Sequence, residues 1–381
     1  MRKADARAEY TYGIRQKYQR AKKKDKSELL DEYVMVTGYH RKHAMAILSG
    51  QFKPKKGRIR RWRGRTYTDE DKRTLLQLAG WFDEIGSKRL RASLDQELDR
   101  LRASGHVQTS EESFERLKRM SPATMDRLRA GQGCLKRKAR GGTKPGSLLK
   151  KQIPVRTFAE WSDKKVGFIE MDLVQHDGGN PSGFFGCTLH MTDVCSGWCE
   201  PIAVENKAQK RVFDALKKVR LRLPFPLLGV DSDNGAEFIN AEMLAYCQQE
   251  KLTFTRGRVG HKNDNPFIEQ KNWSVVRCLV GYGRFDTSQQ IALLNKLYDK
   301  YRLFSNFFLP VTKLVDKQRI GSQVKKTYDK PKTPFLRLLE SPDVSQINKQ
   351  RLANTYANLD VVTLKNEIDA LIDKLKPSPL R

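Results

Sequence analysis

The sequence of 381 residues lacks any long apolar stretch. No segment reaches the roughly 20 uncharged apolar residues that a membrane-spanning helix needs. The first ten residues, MRKADARAEY, also lack the apolar segment of a secretory signal. The sequence therefore predicts neither a membrane anchor nor export.

Paired cysteines and a nucleotide-binding loop are absent as well. Six cysteines are scattered along the chain without a CxxC pair, at positions 134, 187, 195, 199, 247 and 278. This spacing argues against a zinc ribbon and is typical of a reducing cytosol. The sequence contains no GxxxxGKS or GxxxxGKT loop, so it does not predict an intrinsic ATPase.

Acidic residues are scarce relative to basic ones. The chain has 73 Lys and Arg against 44 Asp and Glu, which gives a net charge of +29. Residues 1–150 hold +20 of this charge, and residues 151–381 hold +9. Such an excess predicts a polyanionic partner, most commonly nucleic acid. The 17 Phe and 5 Trp are too many for a disordered chain, and the length predicts two or three domains.

The first basic region predicts a helix-turn-helix module over residues 1–66. Residues 27–50 contain two short amphipathic patterns separated by Thr37-Gly38, and the second pattern places Arg41 and Lys42 outward. A basic run follows, whose arginines we expect to contact DNA phosphates: Arg58, Arg60, Arg61 and Arg63. The alternative is a small helical hairpin with a solvated basic face and a solvated linker.

A second helical module is predicted over residues 67–130. Ser121 and Pro122 have the residue types that begin a helix, which would turn Thr124 and Arg127 outward towards DNA. A second helix-turn-helix and a plain helical bundle both fit this pattern. The composition of residues 131–155 predicts a basic linker. This linker either lies along a DNA backbone, with Lys136, Arg137 and Lys138 contacting phosphates, or serves only as a hinge between domains.

From residue 165 the pattern changes to short apolar strands and amphipathic helices. Three successive strands, at 166–174, 183–194 and 198–204, are followed by alternating helices and strands. This order predicts a mixed α/β sheet, which we assign to residues 156–303. Residues 304–381 predict a β-hairpin and amphipathic helices that serve DNA binding, multimer formation or both.

Three carboxylates lie at the ends of the predicted elements. Asp172 lies near the end of the first strand, Asp233 just after the fourth, and Glu269 in the first turn of a long helix. Carboxylates in such places can converge on a pair of Mg²⁺ ions, which prefer oxygen ligands. Glu170 and Asp231 each precede one of these residues by two positions and would share its face of the strand.

The motifs around these carboxylates resemble a known family. SDNGAEF (232–238) and NDNPFIEQKN (263–272) place 35 residues between Asp233 and Glu269, and FIEMDLV (168–174) supplies the first aspartate. This D,D(35)E pattern, together with TDVCSGW (192–198), resembles the DDE-type insertion-sequence transposases of bacteria, within the retroviral-integrase superfamily. The resemblance covers about residues 155–285. It favours Asp233 over Asp231, because Asp233 precedes Asn-Gly and gives the spacing.

The resemblance implies an RNase H-like catalytic core in which Asp172, Asp233 and Glu269 are both catalytic residues and ligands of two Mg²⁺ or Mn²⁺ ions. It implies nicking of element ends to free a 3′-OH, which attacks target DNA in line. The implied protein acts as a homodimer or larger assembly on double-stranded DNA, needs no nucleotide cofactor, and works in the bacterial cytoplasm at the nucleoid. The zinc domain of retroviral integrases is not predicted, since His40 and His43 have no cysteine pair nearby.

Residues around Glu269 add candidate DNA contacts. Lys262, Asn265, Lys271 and Arg277 lie near it on the predicted helix or just before it, and we expect them to contact terminal phosphates. Ordinary helix solubility explains such charges equally well. Two further functions fit the composition, a metal-dependent nuclease that only cuts DNA and a non-catalytic DNA-binding regulator.

Overall fold

The computed structural model describes residues 3–51, 66–130, 165–233, 235, 237–256, 268, 271–320 and 323–379. The chain divides into two compact units, Met1–Thr66 and Tyr67–Arg381. Among the described residues, no helix has both the length and the apolar character that crossing a bilayer requires.

The first unit is a three-helix bundle. Helices α1 (Lys3–Arg20), α2 (Lys23–Thr37) and α3 (Arg41–Leu48) surround a small core centred on Tyr33 and Leu48. Gly38 has φ +70° and donates its N–H to the Val34 carbonyl at 2.8 Å, which ends α2 and reverses the chain. The two short helices that the sequence predicts around Thr37-Gly38 are present as α2 and α3, while α1 was not anticipated.

The second unit begins with four helices. They are α4 (Asp69–Trp81), α5 (Ser87–Ala103), α6 (Glu111–Arg119) and α7 (Pro122–Arg129). Polar side chains cap three of these helices, because Thr68, Ser110 and Ser121 accept backbone N–H groups at their N-termini; of these caps the sequence analysis named Ser121. Their apolar faces are buried together, so Leu90, Leu94, Leu98 and Leu101 form a core stripe.

A five-stranded mixed sheet forms the centre of this unit, as predicted. Its strands are β1 (Phe168–Gln175), β2 (Cys187–Asp193), β3 (Cys199–Val204), β4 (Gly229–Ser232) and β5 (Thr253–Arg256). The spatial order is β3-β2-β1-β4-β5. Strands β1, β2 and β3 are antiparallel neighbours, whereas β4 pairs parallel with both β1 and β5. The connections that lead to β4 and β5 contain helices α8 (Gln209–Arg222) and α9 (Ala241–Gln249).

The rest of the chain covers the β3 side of the sheet and continues beyond it. A π-helical turn (Asn272–Arg277) runs into α10 (Cys278–Val280), and the long α11 (Ser288–Phe308) follows. The predicted hairpin is β6 (Leu314–Ile320) and β7 (Gln323–Tyr328). Three helices end the chain: α12 (Pro334–Glu340), α13 (Gln346–Ala357) and α14 (Val361–Lys374).

Helix α11 covers the open edge of β3 through two asparagine side chains. Asn306 accepts the N–H of Cys199 and donates to its carbonyl, both at 2.9 Å. Asn295 does the same for Ala203, at 2.8 and 3.0 Å. Between them lies Pro201, which has no N–H to donate. The two amides thus replace the hydrogen bonds of a sixth strand.

The helices α4–α7 belong to the same compact unit as the sheet. Ser93 donates to the Phe308 carbonyl at 3.0 Å, and Arg100 donates to the Leu359 carbonyl at 2.9 Å. The buried carboxylate of Glu97 accepts the hydroxyl of Tyr356. The proposed linker at 131–155 and the first residues of the proposed core lie outside the described residues.

Candidate functional site

Asp172 lies in β1, directly opposite His190 of β2 in the antiparallel ladder. One carboxylate oxygen accepts the Leu173 N–H at 2.8 Å, and the other accepts the amide of Asn272 at 2.6 Å. The carboxylate is therefore oriented by two donors, one of them from the π-helical turn.

Asp233 follows the neighbouring parallel strand. The ladder of β1 and β4 ends with Met171 beside Ser232, so the next residues of the two strands are Asp172 and Asp233. Asp233 is exposed and accepts the Gly235 N–H at 2.8 Å. Burial raises the pKa of Asp172 to about 6, and the negative charge of Asp233 adds to this effect.

Glu237 is a further carboxylate at this place, which the sequence analysis did not single out. Burial, together with the charge of Asp233, raises the pKa of Glu237, whose charge in turn acts on Asp172. Its carboxyl group folds back against Gly235, where an added Cβ would lie 2.6 Å from Glu237 Cδ. The sequence did offer one indication of Glu237, which lies within the motif SDNGAEF, four residues after Asp233.

The two alternative carboxylates are buried and make structural hydrogen bonds. Glu170 accepts the backbone N–H of Ile268 at 2.8 Å, and Asp231 accepts the hydroxyl of Thr255 on β5. Both are 2% exposed and lie opposite each other in the β1–β4 ladder. Asp231 therefore ties β4 to β5 within the sheet, and Glu170 ties β1 to the helical residue Ile268.

Glu269 lies outside the described residues. On its two sides, however, Ile268 and Asn272 are both tied to β1, the first by Glu170 and the second by Asp172. Asn272 begins the π-helical turn, a widened helix that often occurs at functional sites. The next residue, Trp273, is 48% exposed.

Asn272 also contacts His190. The Asn272 side-chain oxygen lies 2.8 Å from His190 Nδ1, while its nitrogen donates to Asp172. Burial lowers the pKa of His190 to about 3, so the ring is neutral at physiological pH. Sequence reasoning missed His190, because its contact with Asn272 depends on the register of β1 and β2.

Most of the predicted DNA-binding residues described in the first unit and in α7 are exposed, and only Thr124 is half-buried. Arg41 and Lys42 are both exposed, and Arg41 pairs with Asp31 and donates to Ser27. Arg127 is exposed and donates to Thr124 at 2.9 Å.

The predicted DNA-binding residues near the carboxylates are less accessible to solvent. Lys271 and Arg277 are half-buried, burial lowers the pKa of each, and Arg277 donates to the Gln175 carbonyl at 2.8 Å. The remaining predicted contacts lie outside the described residues: Arg58, Arg60, Arg61, Arg63, Lys136, Arg137, Lys138, Lys262 and Asn265.

The donor chemistry suits a hard divalent cation. Asp172, Asp233 and Glu237 offer carboxylate oxygens, the ligands that Mg²⁺ and Mn²⁺ prefer, and their mutual repulsion would be relieved by a cation. Within the described part of the chain, no group of three or more His, Cys, Asp and Glu side chains is arranged to hold a metal ion. The third predicted ligand, Glu269, is not among those residues.

The fold and site define an α/β protein with two carboxylates next to each other where the ladder of two neighbouring parallel strands ends, one within β1 and one just after β4. No family model matches the chain. The uncharacterized protein y4rM of Sinorhizobium fredii (strain NBRC 101917 / NGR234) is 39% identical over 336 residues, which cover 87% of this chain and 94% of that protein. The chain belongs to the family of this protein.

Similar solved structures include retroviral integrase catalytic cores. The HTLV-2 integrase core, solved in complex with magnesium, is 14% identical with a TM-score of 0.29, covering 38% of this chain and 88% of that one. The BIV integrase core is 15% identical with a TM-score of 0.31, covering 50% and 98%. Scores of this size establish neither a common fold nor a common activity.

Proposed function

We propose that this protein is a DDE-type polynucleotidyl transferase, a transposase or integrase that nicks DNA ends and joins them to target DNA. The observation that carries the proposal is the position of Asp172 and Asp233 on neighbouring strands, directly after the last paired residues of the β1–β4 ladder. The repulsion that helps raise the pKa of Asp172 is what a cation-binding carboxylate pair exhibits without its cation.

The sheet supports an RNase H-like assignment for this core. Three consecutive antiparallel strands, then two parallel strands joined through helices, are what the resemblance implies. In that assignment Asp172, Asp233 and Glu269 are the catalytic residues and the ligands of two Mg²⁺ or Mn²⁺ ions. The ties of Ile268 and Asn272 to β1 favour Glu269 as the third carboxylate.

The chain's own groups would bind and orient the DNA end. When bound, the metal ions supply activation of the attacking hydroxyl and stabilisation of the leaving oxygen. Asp172 is held by Asn272 and Leu173, and each of its oxygens keeps a second lone pair that can face a cation. No nucleotide is required in this proposal.

The test is joining of a 3′-OH oligonucleotide, carrying the inverted repeat that flanks the gene, to a plasmid in the presence of Mg²⁺. Asp172→Asn, Asp233→Asn and Glu269→Gln should each abolish joining while DNA binding persists. Asp214→Asn is the matched control, because Asp214 is a surface acid that pairs only with Lys217 among the ion pairs described. Joining that survives in the three variants would refute the assignment.

Two other outcomes correspond to the alternative functions. Cutting without joining identifies a metal-dependent nuclease, and tight DNA binding without chemistry in Mg²⁺ or Mn²⁺ identifies a regulator. All three candidate carboxylates are present in the sequence, which favours an enzyme over a regulator.

We further propose that the basic residues named above contact double-stranded DNA, and Lys42 and Arg127, both exposed, are the two chosen for the test. Replacing either by Ala should weaken binding to all sequences and reduce the slope of log affinity against log salt by about 1. Lys217→Ala removes the same charge at an ion-paired site and is the control. An unchanged salt slope would exclude that residue as a phosphate contact.

We also propose a homodimer or larger assembly on DNA, because joining both ends of an element requires two active sites. The hairpin and helices of the C-terminal region are candidates for this contact or for DNA binding. Size-exclusion chromatography with light scattering, run with end DNA, should show at least two chains per complex. A single chain per complex would contradict the proposal.

A further inference from the structure

Asn272 connects two residues that face each other across neighbouring strands. Asp172 and His190 are direct partners in the β1–β2 ladder, and the amide of Asn272 bridges them from the π-helical turn. Asn272 is therefore the link between the helix that follows position 269 and the carboxylate of β1. Its orientation decides whether it presents a donor or an acceptor to Asp172.

A side-chain amide can rotate by half a turn at little cost unless both of its ends are specified. The Asp172 carboxylate accepts a hydrogen bond from the NH₂ end, but it can exchange this partner for a bound cation. His190 specifies the other end, since Nδ1 lies 2.8 Å from the Asn272 oxygen and donates its proton there. The ring thereby holds the NH₂ group towards Asp172.

The surroundings of His190 fix its tautomer. The side chain is fully buried, and its Nε2 has no hydrogen-bond partner among the described residues. A proton on Nε2 would be a buried donor without an acceptor, which is costly. The neutral ring therefore keeps its proton on Nδ1, where Asn272 accepts it.

We propose that His190 is a positioning residue, which through Asn272 holds the Asp172 carboxylate in the orientation that binds a divalent cation. This inference rests on the proposed function, because it assumes that Asp172 is a metal ligand. His190 itself touches neither metal nor DNA in this proposal.

Mn²⁺ binding to the full-length chain, followed by electron paramagnetic resonance, tests the inference without any catalytic assay. His190→Leu removes the donor, and His190→Gln keeps a polar side chain but moves its donor away from the Nδ1 position. His190→Asn places an NH₂ group close to where Nδ1 stood. We expect Leu and Gln to weaken Mn²⁺ binding about tenfold, as loss of a group behind a metal ligand does, and Asn to restore most of it.

A double-variant comparison separates positioning from general support of the fold. If His190 acts through Asn272, then His190→Leu should have no further effect on Mn²⁺ affinity in an Asn272→Ala background. Equal losses in both backgrounds, or unchanged affinity in both the Leu and the Gln variant, would overturn the inference. Near-UV circular dichroism identifies a misfolded variant, and the Gln and Asn pair then decides the outcome.

The same titration distinguishes failure of this inference from failure of the proposed function. If Asp172→Asn binds Mn²⁺ as the unchanged protein does, Asp172 is not a ligand and both ideas fail. If Asp172→Asn abolishes binding while the His190 variants bind normally, only the positioning role is wrong.

Discussion

At the scale of single residues, Asp172 is a carboxylate whose ionised form the fold disfavours. The unfolded chain releases its proton near pH 3.8, whereas the folded chain releases it near pH 6. Unfolding therefore becomes easier as pH rises through this window, and ionised Asp172 costs stability above it. A residue kept in such an environment is typical of a functional site.

Asp172→Asn should consequently stabilise the protein at pH 8 in EDTA, by about 1 to 2 kcal/mol once solvent screening is allowed for. The gain should shrink as pH falls through 6 towards 4, and Mg²⁺ should stabilise the parent but not the variant. Urea unfolding at the two pH values measures this. Asp214→Asn is the control, because the Lys217 ammonium lowers the pKa of Asp214 and its replacement brings no such gain.

Gly167 illustrates a second residue-scale constraint, immediately before β1. It has φ +112°, and an added Cβ would lie 2.5 Å from the Pro226 carbonyl oxygen. Gly167→Ala should lower the free energy of unfolding by about 3 kcal/mol or more, from backbone strain and overpacking together. Gly80→Ala, in an exposed turn of α4 with room for the methyl group, should instead add about 0.5 to 1 kcal/mol in the same denaturant titration.

The sequence indicated candidate carboxylates but not the side chains that hold them. Asp172 and Asp233 were candidates because a short apolar strand and the Asp-Asn-Gly turn are local patterns. Asn272 and His190 are 82 positions apart in the sequence but form a hydrogen bond. Their contact depends on the register of β1 and β2 and on the π-helical turn, and no local periodicity in the sequence indicates either. Glu237 was missed because half-burial beside Asp233 is a property of the folded loop.

At the scale of elements, the edge of β3 depends on the two asparagines of α11. Asn306→Leu would leave the N–H and carbonyl of Cys199 buried without partners, which should cost about 2 to 4 kcal/mol. Asn295→Leu, at a site that water reaches more easily, should cost clearly less. Equal losses in chemical denaturation would show that side-chain packing, and not edge pairing, accounts for the effect.

Elements with strong local signals were predicted, whereas the three helices α1, α6 and α13 were not. The strands of the sheet are short apolar runs between turns, and α5 has leucines at helical spacing. Helix α1 is dominated by charged and polar residues with little apolar periodicity, and α6 has only nine residues. In α6 the Ser110 cap and the acidic first turn were the available signals.

At the scale of the whole molecule, the second unit is joined by contacts between residues far apart in the chain. Tyr356 of α13 donates to Glu97 of α5, and Arg100 lies 4.3 Å from the centre of the Tyr356 ring. Glu97 is nearly fully buried, and burial raises its pKa. These contacts join the α4–α7 block to the C-terminal helices within one compact unit, and we expect the two parts to unfold together.

Tyr356→Phe should therefore lower the melting temperature of the entire second unit, with a loss of about 1 to 3 kcal/mol. The loss should be greatest at alkaline pH, where Glu97 is ionised and misses the donor, and smaller where Glu97 is protonated. Scanning calorimetry at pH 5 and pH 8 measures both effects, with the exposed Tyr328→Phe as control. A new, separate transition at lower temperature would instead show that the C-terminal helices unfold on their own.

The covered edge of β3 also restricts how copies of this protein can associate. With the backbone groups of Cys199 and Ala203 occupied by asparagine amides, and no N–H on Pro201 between them, another chain finds no template there for strand addition. A second copy cannot join its sheet to this one at β3, either in an ordered dimer or in a fibril seed. Any association between copies must therefore use surfaces other than this edge.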